Sequence, residues 1–270
     1  MRCSNEVTPL KAAERERIKK WHLYVWKFFS DRYFKAVLVG RLKQMSQDKL
    51  DVVIIENSSV ELLPKELWSH ESAKRVQDSF GVAPRMQILD WNYHRAGMSK
   101  LRNIEKRGRP DVVHFALLDA TSTPIFASGK LKVVIHALNG DVISPKNSTH
   151  PPRTLNRFCG VMAKILAGEE GPDERNLFQI ERKKSFKDLL SMYEIDEAVS
   201  LTRLGTGIDL RDLVKSESSR RAYAIGGFAH GHFDEEVILN SKPMSISKEP
   251  LAAHVVSARL SYELERSKLM

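Results

Sequence analysis

The sequence predicts an α/β protein, on three observations. Buried-strand runs such as Val52–Ile55 alternate with stretches whose apolar residues recur every three or four positions. Asn139-Gly140 sits between two β-rich runs in KLKVVIHALNGDVISP, as a hairpin turn does. The stretch RTLNRFCGVMAKILAG reads as a full amphipathic helix with glycine at its end. At 270 residues, 42% hydrophobic and 29% charged, the chain is of the soluble globular class and long enough to bury a sizeable core.

The elements follow in order. Residues 1–48 form a basic, aromatic N-terminal extension, in which Ile18, Trp21, Val25 and Phe28 fall at helical spacing. A docked helix is the plainer reading of it, and an RNA or partner arm the alternative. Residues 49–270 read as a single domain. Val52–Ile55 is its first strand, ended by the turn chemistry of Asn57-Ser58-Ser59. MQILD, 86–90, is a second strand candidate, and KRGRPD, 106–111, leads into a buried strand. The Asn139-Gly140 hairpin follows. Pro152 then opens a helix with Leu155, Phe158, Met162 and Leu166 on its apolar face and Gly168 as its cap. FKDLLSMY reads as a short helix and AYAI as a strand entering a glycine-rich loop. A last helix runs from Pro250 to about Ser267, with Leu251, Val255 and Tyr262 on one face.

Several classes are disfavoured. No apolar run is long enough to span a bilayer, and no signal-peptide pattern opens the chain, which points to a cytoplasmic protein with no membrane partner. Cys3 and Cys159 are far apart and lack metal-ligand spacing, so neither a disulfide framework nor a metal site is expected. The net charge is +9, from 43 basic and 34 acidic residues. Much of the excess lies in 1–48, with 11 Lys/Arg against 5 Asp/Glu, and in 85–166, with 13 against 5. A polyanion is the partner such clustering suits.

Three constellations carry chemistry. Arg153, Arg157 and Lys164 lie opposite the apolar stripe of their helix. Guanidiniums one turn apart project side by side and can span neighbouring phosphates. Lys146 and His150 approach from the preceding loop. In KRGRPD, Asp111 stands two residues after Arg109 and can pin its guanidinium for directional bonds to a base or phosphate. A lone histidine in this region, His94, suits a structural role better than a catalytic one. The third constellation is a pair of loops, IGGFAHG and MSISKEPLAAH, which offer many main-chain groups in one place. The glycine spacing does not match GxGxxG, no P-loop occurs, and a dinucleotide fold is disfavoured.

Taken together, RGRPDVVHFALLD, VVIHALNGDVI, PPRTLNRFCGVM, IGGFAHG and SISKEPLAAHVV, in this order, resemble the ribosomal small-subunit RNA methyltransferases that act at N1 of pseudouridine, a SPOUT branch of archaea and eukaryotes. The resemblance covers roughly residues 50–267. It implies a SPOUT-type knotted methyltransferase fold, with a deep trefoil knot in the C-terminal part. It implies S-adenosylmethionine as methyl donor, bound by Thr206, Gly226, Gly231, Ile246, Ser247, Lys248, Glu249, Pro250 and Leu251. It also implies small-subunit ribosomal RNA as substrate, contacted by Arg109, Arg153 and Arg157, and a homodimer. His150 stands where the family usually has a further arginine. Asp111 either takes the N1 proton or only orients Arg109. A ribosome-assembly RNA chaperone that keeps the donor pocket, and a ribose 2′-O-methyltransferase, are the competing functions.

Overall fold

The computed structural model describes residues 50–146, 149–215 and 220–270; the extension expected over 1–48 lies outside the described residues. The chain opens with strand β1 (Leu50–Ser58), followed by helices α1 (Glu71–Phe80) and α2 (Trp91–Met98). Helices α3 (Pro110–Thr121) and α4 (Pro124–Ala127) lead into strands β2 (Leu131–Ala137) and β3 (Val142–Pro145). Helices α5 (Leu155–Ala167) and α6 (Pro172–Leu177), strand β4 (Phe178–Glu181) and helix α7 (Phe186–Met192) come next. Strand β5 (Glu197–Gly207), helix α8 (Leu210–Val214), strand β6 (Arg220–Gly226), helix α9 (Glu235–Leu239), strand β7 (Lys242–Ser245) and helix α10 (Ala253–Leu269) complete it.

The strands form one seven-stranded sheet in the order β4-β3-β2-β1-β6-β5-β7. β2, β1, β6, β5 and β7 run parallel to one another, while β3 pairs antiparallel with both β2 and β4 at one edge. β1 is central and buried on both faces, which is why it reads as an unbroken apolar run. Alternation divides its side chains between two cores. Val53 and Ile55, with Val133, Ile135 and Ile225, pack under α3, α5 and α10. Val52 and Ile54, with Val134 and Ala224, pack against Phe186 and Leu189 of α7 and Val237 of α9. Full burial of each such side chain contributes about 1.5–3 kcal/mol. A third small core, built on Leu63, Leu67, Leu89 and Met98, holds the α1–α2 insertion together.

The structure corrects several local expectations. The run after KRGRPD is helix α3, not a strand: Pro110 occupies its first turn and Val113, Ala116, Leu117 and Ala120 are buried along it. MQILD makes only an isolated bridge, Leu62 to Ile88. Its polar residues serve helix ends instead, with Gln87 Nε2 donating to Ala73 O and Val82 O and Asp90 capping α2. In the hairpin only Gly140 takes a positive φ (84°), so the turn is a three-residue loop rather than a two-residue one. Helix α5 begins at Leu155, leaving Arg153 ahead of it. Helix α10 begins at Ala253 and buries Val256, Leu260 and Leu264, while Tyr262 is 55% exposed.

Among the described residues no helix is long and apolar enough to cross a membrane, and no group of three or more His, Cys, Asp and Glu is placed to hold a metal.

Candidate active site

A cleft of about 440 Å³ opens where the C-terminal ends of β5 and β6 meet the starts of α3 and α10. Open parallel sheets place ligands at such carboxyl ends, where the order of the strands reverses. Arg109 and Asp111 line one side, Gly226 and Gly231 another, and Pro250 and Leu251 a third. Three segments that are far apart in sequence thus share one cavity, which the basic face of α5 does not line.

The Arg109–Asp111 pair is built by the start of α3. Arg109 is the N-terminal flanking residue of that helix, and its carbonyl accepts from Ser59 Oγ at 2.7 Å, which ties it to the end of β1. Its guanidinium donates twice to the carboxylate, Nε to Oδ1 at 2.8 Å and Nη2 to Oδ2 at 2.7 Å. The hydrogen bond to Asp111 is the chief reason the Arg109 pKa is raised. Burial pushes the Asp111 carboxyl up, but the bonds and charge of Arg109 outweigh it and hold the group below the usual carboxylate range. Both carboxylate oxygens are engaged.

The glycine loop, residues 226–234, is fixed at both ends. Gly227 N donates to Glu56 O at 2.7 Å, and Gly227 O accepts from Ser59 N at 2.9 Å. A Cβ on Gly227 would come within 2.8 Å of Ser58 Cα, so this close approach requires glycine. Gly231 has φ 102°, which also favours glycine. At the far end Asn57, itself at φ 50°, exchanges two hydrogen bonds with Asp234: Nδ2 donates to Oδ2 at 2.8 Å and Oδ1 accepts from the Asp234 amide at 3.1 Å. Lys106 Nζ donates to the other Asp234 oxygen at 2.7 Å and lies 5.2 Å from the Phe228 ring centre. Lys106 belongs to the segment that carries Arg109, so this ion pair joins two walls of the cleft. Sequence reasoning missed it: Asn57, Lys106 and Asp234 are brought together only by the tertiary fold.

The remaining expected residues divide. Thr206 is exposed on β5, paired with Met244, and does not line the cleft. The register slips between Leu201 and Thr206, and the residues bulging out there, Thr202 and Arg203, form the wall instead. Ser247, Lys248 and Glu249 lie in the β7–α10 loop without lining the cleft; Ser247 braces that loop by accepting from Glu249 N at 3.1 Å. Ile246 faces a separate hollow of about 280 Å³ with Tyr262 and Arg259.

Arg153, Arg157 and His150 are exposed, and among the described residues none of the three side chains has a hydrogen bond or ion pair. His114 Nε2 donates to Pro152 O at 2.7 Å and its ring stacks on Phe158 at 4.7 Å, fixing the approach to α5 against α3. Lys164 is not part of this free basic face: Nζ donates to Glu174 Oε1 at 2.6 Å. His94 is structural, buried with its ring nitrogens bonded to the Asp90 main chain and to Gln87 Oε1, and burial lowers its pKa.

Comparison with known proteins gives a consistent pattern. A family model described as EMG1/NEP1 methyltransferase matches residues 53–265. The Ribosomal RNA small subunit methyltransferase Nep1 of Staphylothermus marinus is 34% identical over 217 residues, covering 79% of this chain and 94% of that protein. The protein of the same name from Thermococcus sibiricus is 32% identical over 219 residues, covering 80% and 98%. The crystal structure of Archaeoglobus fulgidus Nep1 bound to S-adenosylhomocysteine aligns with a TM-score of 0.71 at 27% identity, covering 83% of this chain and all of that one.

Proposed function

The chain belongs to the EMG1/NEP1 methyltransferase family, and from that premise we propose that it methylates small-subunit ribosomal RNA during ribosome biogenesis, at N1 of a pseudouridine, with S-adenosylmethionine as donor. One observation carries the reading: the two main-chain loops and the Arg109–Asp111 pair line the same cleft. The fit to the donor is good on three counts. The volume falls within the roughly 300–1,000 Å³ of small-molecule sites. Two glycines leave main chain bare at two points of the wall, and loop carbonyls suit a sulfonium cation. S-adenosylmethionine, when bound there, would supply a methyl group whose carbon–sulfur bond breaks as the carbon–nitrogen bond forms, with S-adenosylhomocysteine as the leaving group.

The residues of the chain bind and orient. Gly226, Gly231, Pro250 and Leu251 are the wall against the donor, with Thr206 and the Ile246–Glu249 stretch supporting the loops that carry it. Pseudouridine is joined to ribose through carbon, so its N1 keeps a hydrogen that must leave. A useful base has a pKa near the working pH and a free oxygen. Asp111 has neither, since its carboxyl is held low and doubly bonded to Arg109. We therefore assign Asp111 to orienting Arg109, Arg109 to positioning the base, and the proton to solvent. Arg153, Arg157 and His150 supply the exposed surface for the phosphates, with the target nucleotide splayed from its loop.

The deep trefoil knot and the homodimer belong to the same reading. The insertion of β6 between β1 and β5, with α10 packed back on α3 behind the cleft, supports the first. Exposed Tyr262 and Leu204 on the C-terminal part, at 55% and 68%, support the second, because a partner would cover them.

The test uses labelled S-adenosylmethionine with a small-subunit rRNA hairpin carrying either pseudouridine or uridine at the target. Label is expected only in the pseudouridine RNA. Equal label in both makes the chain a ribose methylator, and tight RNA binding with no label makes it an assembly chaperone.

A further inference from the structure

We propose that a second pocket, between residues 76–94 and the first turns of α5, receives one unpaired nucleobase of the RNA next to the base being methylated. The inference rests on the RNA methyltransferase reading above and adds to it a site that reads sequence.

The pocket holds about 240 Å³, less than the roughly 300–1,000 Å³ of sites for drug-sized ligands and suited to a single flat ring system. Val76, Met86, Ile88 and Leu155 make apolar walls, and Asp90, Asn92 and Asn156 put polar groups among them. That combination matches a base, which has apolar faces and a hydrogen-bonding edge. Burial, with the charges of Asp90 and Asp111, pushes the Cys159 thiol up to about 12, so it stays neutral and behaves as another apolar wall. Two large aromatics stand at the pocket in an exposed state, Phe80 at 58% and Tyr93 at 45%, meeting edge to face at 5.7 Å. Open aromatic faces of this kind are stacking platforms for single-stranded bases.

The most telling residue is Gly160. It lies inside helix α5, where glycine is the poorest choice apart from proline. Neither the backbone nor a neighbour demands it there: its φ is not positive, and an added Cβ would meet nothing within 4 Å. The open space in front of it is the pocket. Bare main chain at that wall leaves room for a ligand to lie flat against the helix.

Its position fits a neighbour of the target base. Trp91 N donates to Gly108 O at 2.8 Å, so the pocket segment is fastened directly to the one that carries Arg109 and Asp111. The charges of Asp111 and Arg109 both act on Asp90. Arg157 follows Asn156 in the chain, is exposed and has no partner among the described residues, which offers a cation to the phosphate of an entering strand. A nucleobase, not a peptide side chain, is the occupant that the open aromatic faces and the adjacent Arg157 favour.

The experiment is a cycle of RNA affinities measured by fluorescence anisotropy. The RNA is the target hairpin, intact or with a single abasic site at each position flanking the target. The proteins are wild type, Gly160→Ala and Gly160→Leu, the last filling the pocket from a helix position that accepts a side chain. In wild type, one flanking abasic site is expected to cost about tenfold, the scale of a lost stacked base. Gly160→Leu is expected to bind intact RNA about tenfold more weakly, to lose nothing further at that same abasic site, and to bind S-adenosylhomocysteine as wild type does. Asn156→Ala, at an exposed position, repeats the cycle if the leucine variant melts early. Unchanged affinity of Gly160→Leu for intact RNA, or abasic costs in it as large as in wild type at every position, overturns the pocket and leaves the methyltransferase reading standing. Wild type that binds no RNA at all overturns both.

Discussion

His136 donates from both ring nitrogens, Nδ1 to the Glu56 carboxylate at 2.8 Å and Nε2 to Lys184 O at 2.9 Å. Both partners are acceptors, so the ring carries both protons and a positive charge. Burial acts to lower its pKa, but the bond and charge of Glu56, joined by the Lys184 carbonyl, outweigh it and the net shift is upward. A folded pKa raised above the unfolded value contributes stability that is complete below about pH 6.5 and fades as pH climbs through the folded value. The melting temperature is therefore expected to fall on going from pH 6 to pH 9. His136→Leu is expected to remove that fall and to destabilise by about 3–5 kcal/mol, because it strands Glu56, which is 1% exposed, without its cation. A pH profile of melting that is the same in both proteins refutes the pairing. None of this was legible in the sequence, where His136 and Glu56 lie 80 positions apart. Asp111 and Arg109, by contrast, were legible because they are two residues apart and their pairing is local.

Elements repeat the same division between local and distant causes. Helix α5, its glycine cap and the glycine loop after β6 follow from periodicity and turn chemistry, which act over a few residues. Helix α3 reads as a strand because it is buried along so much of its surface that its helical period is faint; α10 is legible as a helix but its buried face is not, because the side chains it buries depend on α3 and the sheet, not on its own pattern. The bulge in β5 is the costliest omission, since it sets which residues line the cleft. β7 pairs with Leu201 and again with Thr206 through one residue, Met244, so the stretch between must loop out and Thr202 and Arg203 reach the cleft. Gly205 makes this possible: a Cβ there would collide with the Pro243–Met244 backbone. Gly205→Ala is expected to push β7 away from β5, to destabilise by about 1–3 kcal/mol and to weaken S-adenosylhomocysteine binding several-fold. Melting curves and calorimetric titration check the pair of effects. Wild-type values in both show that the bulge does not depend on glycine.

At the scale of the whole molecule, charge separates two jobs that the cleft brings together. The net charge of +9 does not say where a polyanion lands, because much of the positive charge is spent inside the fold. Lys106 is held by Asp234, Arg107 by Glu61, Arg182 by Asp141 and Lys164 by Glu174. Arg153 and Arg157, ahead of α5 and in its first turns, carry no such partner among the described residues, so a phosphate meets them without first breaking an ion pair. Sequence order places those arginines about 70 residues from the glycine loop. Only the parallel sheet sets α3 between them, with its first turn on the cleft and His114 anchoring the approach to α5. The two surfaces are therefore separable by mutation. Arg157→Ala is expected to weaken binding to RNA of any sequence, and to reduce the slope of log affinity against log salt by about 0.7, the value for one phosphate contact on a single strand. Its affinity for S-adenosylhomocysteine is expected to stay at the wild-type value, because no residue lining the cleft proposed for the donor belongs to α5. A salt slope that does not change places the phosphates elsewhere, and a loss of donor affinity means that the basic face and the cleft are one site.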